Sequence, residues 1–317
     1  MVPYQKIARV IADDGFSGLW SAFHGRLLPK KRERRDSSDD QMRKQHVRQY
    51  EANVQEFRNK ARSLGHQDID QYYWYHTIDL GNGLVTPGDF DYRPSLPSYD
   101  FSLSMKGMTV LDVGSATGFF AFEFEKRGAN VVSVELPSIA DWDMPAGKDR
   151  DQTLKALMED HRVNSVEAVY HYHLDGPFQF CQKILQSKVK RVYSTVYDLT
   201  AQKLGADQFD MIFLGDVLLH TFAPLKVLAV LAPFCRGTFV ITEHLSDESD
   251  NAQPVMVYAG GSTATLDRRT WWYPNKVCLE QMLKRLGFAS VNIVGHPQAI
   301  FRREGRPHRT TVIHAKK

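Results

Sequence analysis

Thr109-Val110-Leu111-Asp112-Val113-Gly114-Ser115-Ala116-Thr117-Gly118 is the stretch that decides the fold. Its first five residues are a short apolar, β-branched run and read as a buried strand. A turn of small residues between Gly114 and Gly118 follows, and the phenylalanine-rich residues 119–127 read as a helix. Small residues at such a junction let a ligand approach the backbone, and the helix N-terminus offers unpaired N–H groups. One strand further on, residues 130–136 (NVVSVEL) carry Glu135 near their end. An acid there can accept both hydroxyls of a ribose.

Outward from this unit, strand and helix patterns alternate. Strands are expected at 189–195, 209–214 and 238–242, with helices at 178–185, 225–231 and 276–286. Runs at 288–294 and 310–315 close the chain, joined by a connection too short for a crossover helix. The expectation is an α/β, doubly wound, mostly parallel sheet with helices on both faces and an antiparallel hairpin at one edge. Residues 137–188 are long for a crossover, so an insertion is expected there.

The N-terminal part differs. Residues 4–12 read as a short amphipathic helix, and 26–35 (RLLPKKRERR) are a dense basic run, either a phosphate-contacting patch or a solvated flank. Residues 37–65 read as a polar helix with Val47, Tyr50, Val54 and Phe57 at helical spacing. The division expected is a helical extension over 1–70, an aromatic lid segment over 71–107 and an α/β domain over 108–317 with an insertion at about 137–177. Asn82-Gly83 marks a turn inside the lid segment.

Composition sets bounds. With 43% hydrophobic and 24% charged residues, the chain has the apolar mass for a sizeable core and is neither mainly disordered nor fibrous. A net charge of +3 is too near balance to argue for nucleic-acid binding by itself. Cys181, Cys235 and Cys278 lack metal-type spacing and fit a reducing compartment. With no apolar run long enough for a membrane span and no signal-peptide core, a cytoplasmic location and no membrane partner are expected. His171 and His173 stand at alternate positions, on one face if the segment is a strand, but no third ligand accompanies them, so no metal is expected.

The glycine turn departs from the G-x-G-x-x-G pattern of dinucleotide folds. It resembles the D-x-G-x-x-x-G turn of class I S-adenosylmethionine (SAM)-dependent methyltransferases, through Asp112, Gly114 and Gly118 with Ser115 and Ala116 between. Val196-Tyr197-Asp198-Leu199 and residues 209–220, FDMIFLGDVLLH, resemble the family's later motifs. The resemblance implies a Rossmann-like seven-stranded methyltransferase sheet. It also implies that Asp112 meets the methionyl end of SAM, that Asp198 meets the adenine amino group, and that the backbone at Leu214 and Gly215 faces the methyl group. NAD is the weaker alternative ligand.

The flanks narrow the resemblance. Trp74-Tyr75-His76-Thr77-Ile78-Asp79-Leu80, Thr86-Pro87-Gly88, Arg93-Pro94 and residues 268–275, RRTWWYPN, look like a subgroup containing the tRNA wobble-uridine carboxymethyltransferases. Those enzymes use carboxy-SAM. Here no lysine lies between Lys60 and Lys106, Leu219 stands where the subgroup has a tyrosine, and only Arg269 is left to meet the extra carboxylate. Ordinary SAM, giving S-adenosylhomocysteine (SAH), is therefore expected rather than carboxy-SAM.

The reading that follows is methyl transfer to an oxygen or nitrogen of a small-molecule acceptor, of sugar or natural-product type, with a tRNA wobble uridine as the alternative acceptor. An acceptor losing a proton benefits from a base near neutral pH. His220, just past the fourth strand, is the candidate base, or else a structural histidine capping a helix. Asp216 and His244 are further catalytic candidates at the same rim. Tyr75 and His76 are expected over the sulfonium or packed in the lid, and Arg93 at the methionyl carboxylate or in a surface ion pair. Glu243, Arg269 and Tyr273 are substrate-pocket candidates. A homodimer through the N-terminal helices is compatible with the sequence.

Overall fold

The computed structural model describes residues 37–67, 69–246, 253–261 and 269–317; the side chains of residues 37–39 are not described. The expected helix at 4–12 and the basic run at 26–35 lie outside the described residues. In chain order the elements are α1 (Ser37–Ser63), β1 (Thr109–Val113), α2 (Phe119–Lys126), β2 (Asn130–Glu135), α3 (Lys148–Asp160), α4 (Val166–Tyr170), α5 (Gly176–Leu185), β3 (Lys190–Tyr193) and α6 (Ala201–Leu204). They continue with β4 (Phe209–Gly215), α7 (Pro224–Leu231), β5 (Cys235–Glu243), β6 (Met256–Tyr258), β7 (Trp272–Pro274) and α8 (Lys276–Arg285). The chain closes with β8 (Ser290–Gly295), β9 (Gln298–Phe301), β10 (Arg306–Arg309) and β11 (Thr311–Lys316).

Seven strands form one sheet in the order β3-β2-β1-β4-β5-β11-β8. The pairs β3–β2, β2–β1, β1–β4 and β4–β5 are parallel, while β11 runs antiparallel to both β5 and β8. The expected hairpin is present, with a refinement. Its second arm, β11, inserts between β5 and β8, so the edge strand is β8. The link between its arms carries a second antiparallel hairpin, β9–β10.

The two-residue period of the strands sorts side chains onto the two faces. Val110, Met211, Phe213, Val240 and Val312 join Phe119, Phe120 and Phe124 of α2 and Trp74, Phe90 and Tyr99 from the segment before β1. Leu111, Ile212, Leu214, Ile241 and Ile313 face the other way, onto Leu228 and Leu231 of α7 and Leu279 and Leu283 of α8. Both sheet faces are thus covered, which is why the central strands are almost wholly apolar. Asp112 is the one charged residue on β1, and it is buried. All three cysteines are free and buried.

The insertion between β2 and β3 is helical and has its own small core of Ile139, Leu157, Val169, Tyr170 and Leu174. His171 and His173 do not lie on a strand. They sit in a π-helical turn, His171–Asp175, between α4 and α5. The helical turn sends them apart. His171 packs on Tyr72, while His173 stacks on Tyr73 with centroids 4.5 Å apart and planes 7° from parallel. Among the described residues no group of three or more His, Cys, Asp or Glu is arranged to hold a metal ion, and no helix is long and apolar enough to cross a membrane.

α1 lies against its own chain. Phe57 packs edge-on against Trp74 at 5.0 Å, the Tyr50 hydroxyl accepts from Arg303, and Arg43 Nε donates to the Glu304 carbonyl in the β9–β10 connection. In the segment before β1 the Asn82-Gly83 turn is closed by Leu80 N–H donating to the Leu84 carbonyl.

Candidate active site

A cavity of about 250 Å³ opens at the carboxyl ends of β1, β2 and β4, the place where open α/β sheets take ligands. Its floor is the turn from Val113 to Ala116. Gly114 (φ +74) and Gly118 (φ +92) bend this turn through left-handed backbone that favours glycine. A Cβ at Gly114 would also stand 2.4 Å from Val217 Cγ2, in the cavity wall. Ala116 shares the left-handed bend at φ +46 despite its side chain.

Two carboxylates face this floor. Glu135 Oε2 accepts from Ala116 N–H at 2.7 Å and its Oε1 from Leu136 N–H at 2.9 Å. Those bonds fix its orientation and leave each oxygen further acceptor capacity. Asp112 is 1% exposed, lines the cavity, and its Oδ2 has no hydrogen-bond partner. Burial lifts its carboxyl to about 7, against the opposing pull of Arg191.

Past β4, Asp216 lines the cavity in a left-handed conformation (φ +51), and its backbone N–H donates to the Thr242 carbonyl. Burial pushes its carboxyl up, but His308, His244 and His220 around it outweigh this and hold it below the usual range. His308 Nε2 is 3.6 Å from Asp216 Oδ2. His220 follows in a short 3-10 turn, Leu218–His220, and its Nδ1 lies 2.7 Å from the Arg269 carbonyl. A carbonyl only accepts, so Nδ1 carries the proton and Nε2 is the basic nitrogen.

The remaining wall is aromatic. Tyr73, Tyr75, His76, Tyr92, Trp142 and His173 line it. Burial depresses His76 to about 3, so its ring is neutral at physiological pH. The Arg269 guanidinium lies 4.0 Å over the Trp142 ring. Asp143 ties this wall together. Its Oδ2 accepts from Tyr197 Oη at 2.5 Å and from Phe222 N–H at 2.6 Å, and its carbonyl accepts from Trp271 Nε1 at 2.9 Å.

The structure therefore brings Tyr75, His76, Asp112, Gly114, Ser115, Ala116, Glu135, Gly215, Asp216, His220 and Arg269 around one cavity. Other sequence candidates sit elsewhere. Arg93 is engaged with Asp91 through two short side-chain bonds. Asp198 is exposed and accepts from Thr195 Oγ1, while Ser194 to Tyr197 line the cavity instead. Gly118 packs behind the loop against Phe122 and Phe178, and Leu214 belongs to the α7–α8 core. Glu243 is fully buried and accepts backbone N–H groups of Leu219 and His244. His244 and Tyr273 do not line the cavity: their rings lie 6.3 Å apart, and His244 stays near Asp216 through His308, whose ring it meets at 4.8 Å.

Sequence reading missed Tyr73, Trp142, Asp143, Arg191 and His308. The Asp141-Trp142-Asp143 cluster was visible in the insertion, but nothing local says that it folds back over the sheet. Arg191 reads as an ordinary strand-edge cation, and His308 lies in a hairpin whose place depends on strand order.

No family model matches the chain and no curated protein matches it. Solved structures do. The N-terminal domain of EvdMO1 with SAH bound aligns with a TM-score of 0.50 at 14% identity, covering 83% of this chain and 96% of that one. Magnesium protoporphyrin IX methyltransferase (ChlM) from Synechocystis PCC 6803 with bound SAM gives 0.41 at 12% identity over 67% and 71% of the two chains. Burkholderia thailandensis 1,6-didemethyltoxoflavin-N1-methyltransferase, with 1,6-didemethyltoxoflavin and SAH bound, gives 0.42 at 16% identity over 71% and 79%. The EvdMO1 alignment covers most of both chains and shows a shared fold: the sheet is the Rossmann-like methyltransferase sheet.

Proposed function

We propose that this chain is an SAM-dependent methyltransferase acting on an oxygen or nitrogen of a small-molecule acceptor. The observation that carries the reading is Asp112. A buried carboxylate oxygen without a partner faces a cavity whose floor is a glycine turn and whose side is the oriented Glu135. Such a site calls for a ligand with a cationic group at one end and hydroxyls at the other. SAM has an ammonium and a ribose in that relation. The EvdMO1 domain, with which this chain shares its fold, carries SAH in its structure, which supports the reading.

When bound, SAM supplies a methyl group on a cationic sulfur that leaves as the neutral thioether of SAH. The chain's residues do the rest. Asp112 receives the ammonium, and Glu135 accepts from the ribose hydroxyls. The backbone and side chains of 194–197 wall the adenine end. Tyr75 and the neutral ring of His76 present π faces to positive charge. His220 Nε2 takes the proton that the acceptor loses, and the hydrogen bond from Nδ1 to the Arg269 carbonyl steadies the resulting imidazolium. Much of the remaining rate comes from positioning, for which the Asp143 ties hold the acceptor wall. Asp216, beside the same rim, complements a cation.

Arg269 is the one Arg or Lys among the cavity's described lining residues, a thin clamp for an extra carboxylate, which favours ordinary SAM over carboxy-SAM. Asp141, Asp143 and Asp216 among the lining residues favour a small acceptor over a polyanionic tRNA. The test is calorimetric titration with SAM and SAH, together with mass spectrometry of ligand co-purified with the protein. Bound SAM or SAH supports the reading. An absence of binding heat for both overturns it. Carboxy-SAM in the co-purified fraction, or salt-sensitive tRNA binding, transfers support to the wobble-uridine alternative.

A further inference from the structure

Arg191 on β3 carries a role that the cavity lining alone does not reveal. Its strand neighbour in register is Ser133 of β2. From there the guanidinium reaches under the glycine turn. Nη1 donates to Ser115 Oγ at 2.6 Å and to Ser133 Oγ at 3.2 Å, and Nη2 donates to the Ala116 carbonyl at 3.0 Å. The two serine hydroxyls lie 2.6 Å apart. The guanidinium plane is capped on the other side by Phe178 of α5, 4.0 Å from its ring centroid. Arg191 is thus held on three sides, and it lines none of the cavity.

The residue it grips is the strained one. Alanine in the left-handed region is disfavoured and persists only where its surroundings hold it. Here the carbonyl of Ala116 is held by Arg191 and its N–H by Glu135. The two bonds pin the peptide planes on either side of the one left-handed residue, and the other Glu135 oxygen is held by Leu136 N–H. The bend at Ala116 thus sets one of the two bonds that orient the Glu135 carboxylate.

We propose that Arg191 is the positioning residue of the cofactor site, setting the ribose-binding carboxylate of Glu135 through Ala116 without itself touching the cofactor. This rests on the reading of the cavity as an SAM site. A guanidinium is needed because one planar group must serve the hydroxyl pair and the carbonyl together; a lysine ammonium supplies charge from a single point. The loss on substitution should therefore appear with a ligand that has the ribose and no methionine end, while SAM and SAH lose further because Arg191 also opposes the rise of the Asp112 carboxyl.

The experiment titrates wild type, Arg191→Lys, Arg191→Met and Ser133→Ala with SAM, SAH and 5′-methylthioadenosine, which keeps the ribose and lacks the amino-acid end. Hydrogen–deuterium exchange of the 114–118 segment is followed in parallel, and thermal melting confirms that each variant is folded. Arg191→Met should weaken methylthioadenosine by about tenfold to a hundredfold, on the scale of lost charge-assisted hydrogen bonds, and SAM and SAH by at least as much. Arg191→Lys should recover part of that loss, and the segment should exchange faster in both. Unchanged affinities in folded Arg191→Lys and Ser133→Ala overturn the proposal, as does a loss confined to SAM and SAH with methylthioadenosine unaffected. Should Arg191→Met not fold, the other two variants decide by the same criteria. Failure of wild type to bind any of the three overturns the SAM reading itself, and this proposal with it.

Discussion

Asp112→Asn should make the ligand-free protein more stable while weakening its grip on SAM. The ordinary aspartate value is 3.8, and burial lifts Asp112 to about 7, with Arg191 opposing and Glu135 adding to the rise. Between those values the folded state holds a proton that the unfolded chain has released. Stability therefore falls as pH climbs from 4 to 7 and levels off above. At about 1.4 kcal/mol per pH unit, ionising this group costs the empty fold about 4 kcal/mol at pH 8. Asparagine removes the charge at nearly equal shape, so the variant should melt about 5 °C or more above wild type at pH 8 and close to it at pH 4. Ligand binding reverses the sign. A cationic ammonium meets the ionised carboxylate, so wild-type affinity for SAM should fall by about tenfold per pH unit below 7. The asparagine variant should bind weakly and without that slope. The window from pH 5.5 to 7 keeps clear of the ligand's own amine, which titrates at about 7.7–8. Calorimetric titration and thermal melts over this range test both halves. A variant no more stable than wild type at pH 8, or a flat wild-type affinity between pH 5.5 and 7, would refute the reasoning.

Gly114→Ala puts a methyl group 2.4 Å from Val217 Cγ2 at a backbone φ of +74; SAM binding measured by calorimetry should drop by at least about a hundredfold, with a stability loss of about 1–3 kcal/mol. His220→Gln keeps a donor toward the Arg269 carbonyl but not the base; with an acceptor found by screening for SAH release, kcat should fall by about 10²–10⁴ while SAM affinity holds. Full turnover in that variant would remove His220 from the chemistry. Asp89→Ala strips the fully buried carboxylate that joins Tyr73 Oη at 2.5 Å to Arg303 at 3.1 Å, leaving the half-buried guanidinium to the Tyr50 hydroxyl and the Tyr73 hydroxyl without its acceptor; denaturant unfolding should show a loss of about 1–3 kcal/mol.

Much of the sheet was legible because its signals are local. Residues 109–118 declare a strand, a bend and a helix through their own side chains, and so do the apolar runs at 209–214 and 238–242. Glu135 was legible for the same reason, being the acid that finishes the strand beside the turn. The hairpin of β8 and β11 could be read as a pair, but not that β11 enters between β5 and β8, because apolar patterning does not encode which neighbour a strand pairs with.

The amino-acid sequence by itself determined the elements and the floor of the site, since Asp112, Gly114 and Glu135 fall within one short βαβ unit whose geometry follows from spacing. Tertiary structure alone decided the walls and the bracing. Trp142 and Asp143 reach the cavity because the insertion folds back, His308 because the β9–β10 hairpin lands beside Asp216, and Arg191 because β3 pairs with β2 in a register that places it beneath Ala116. These contacts join residues distant in the chain, and their partners are chosen by packing and register, which no local pattern of side chains carries.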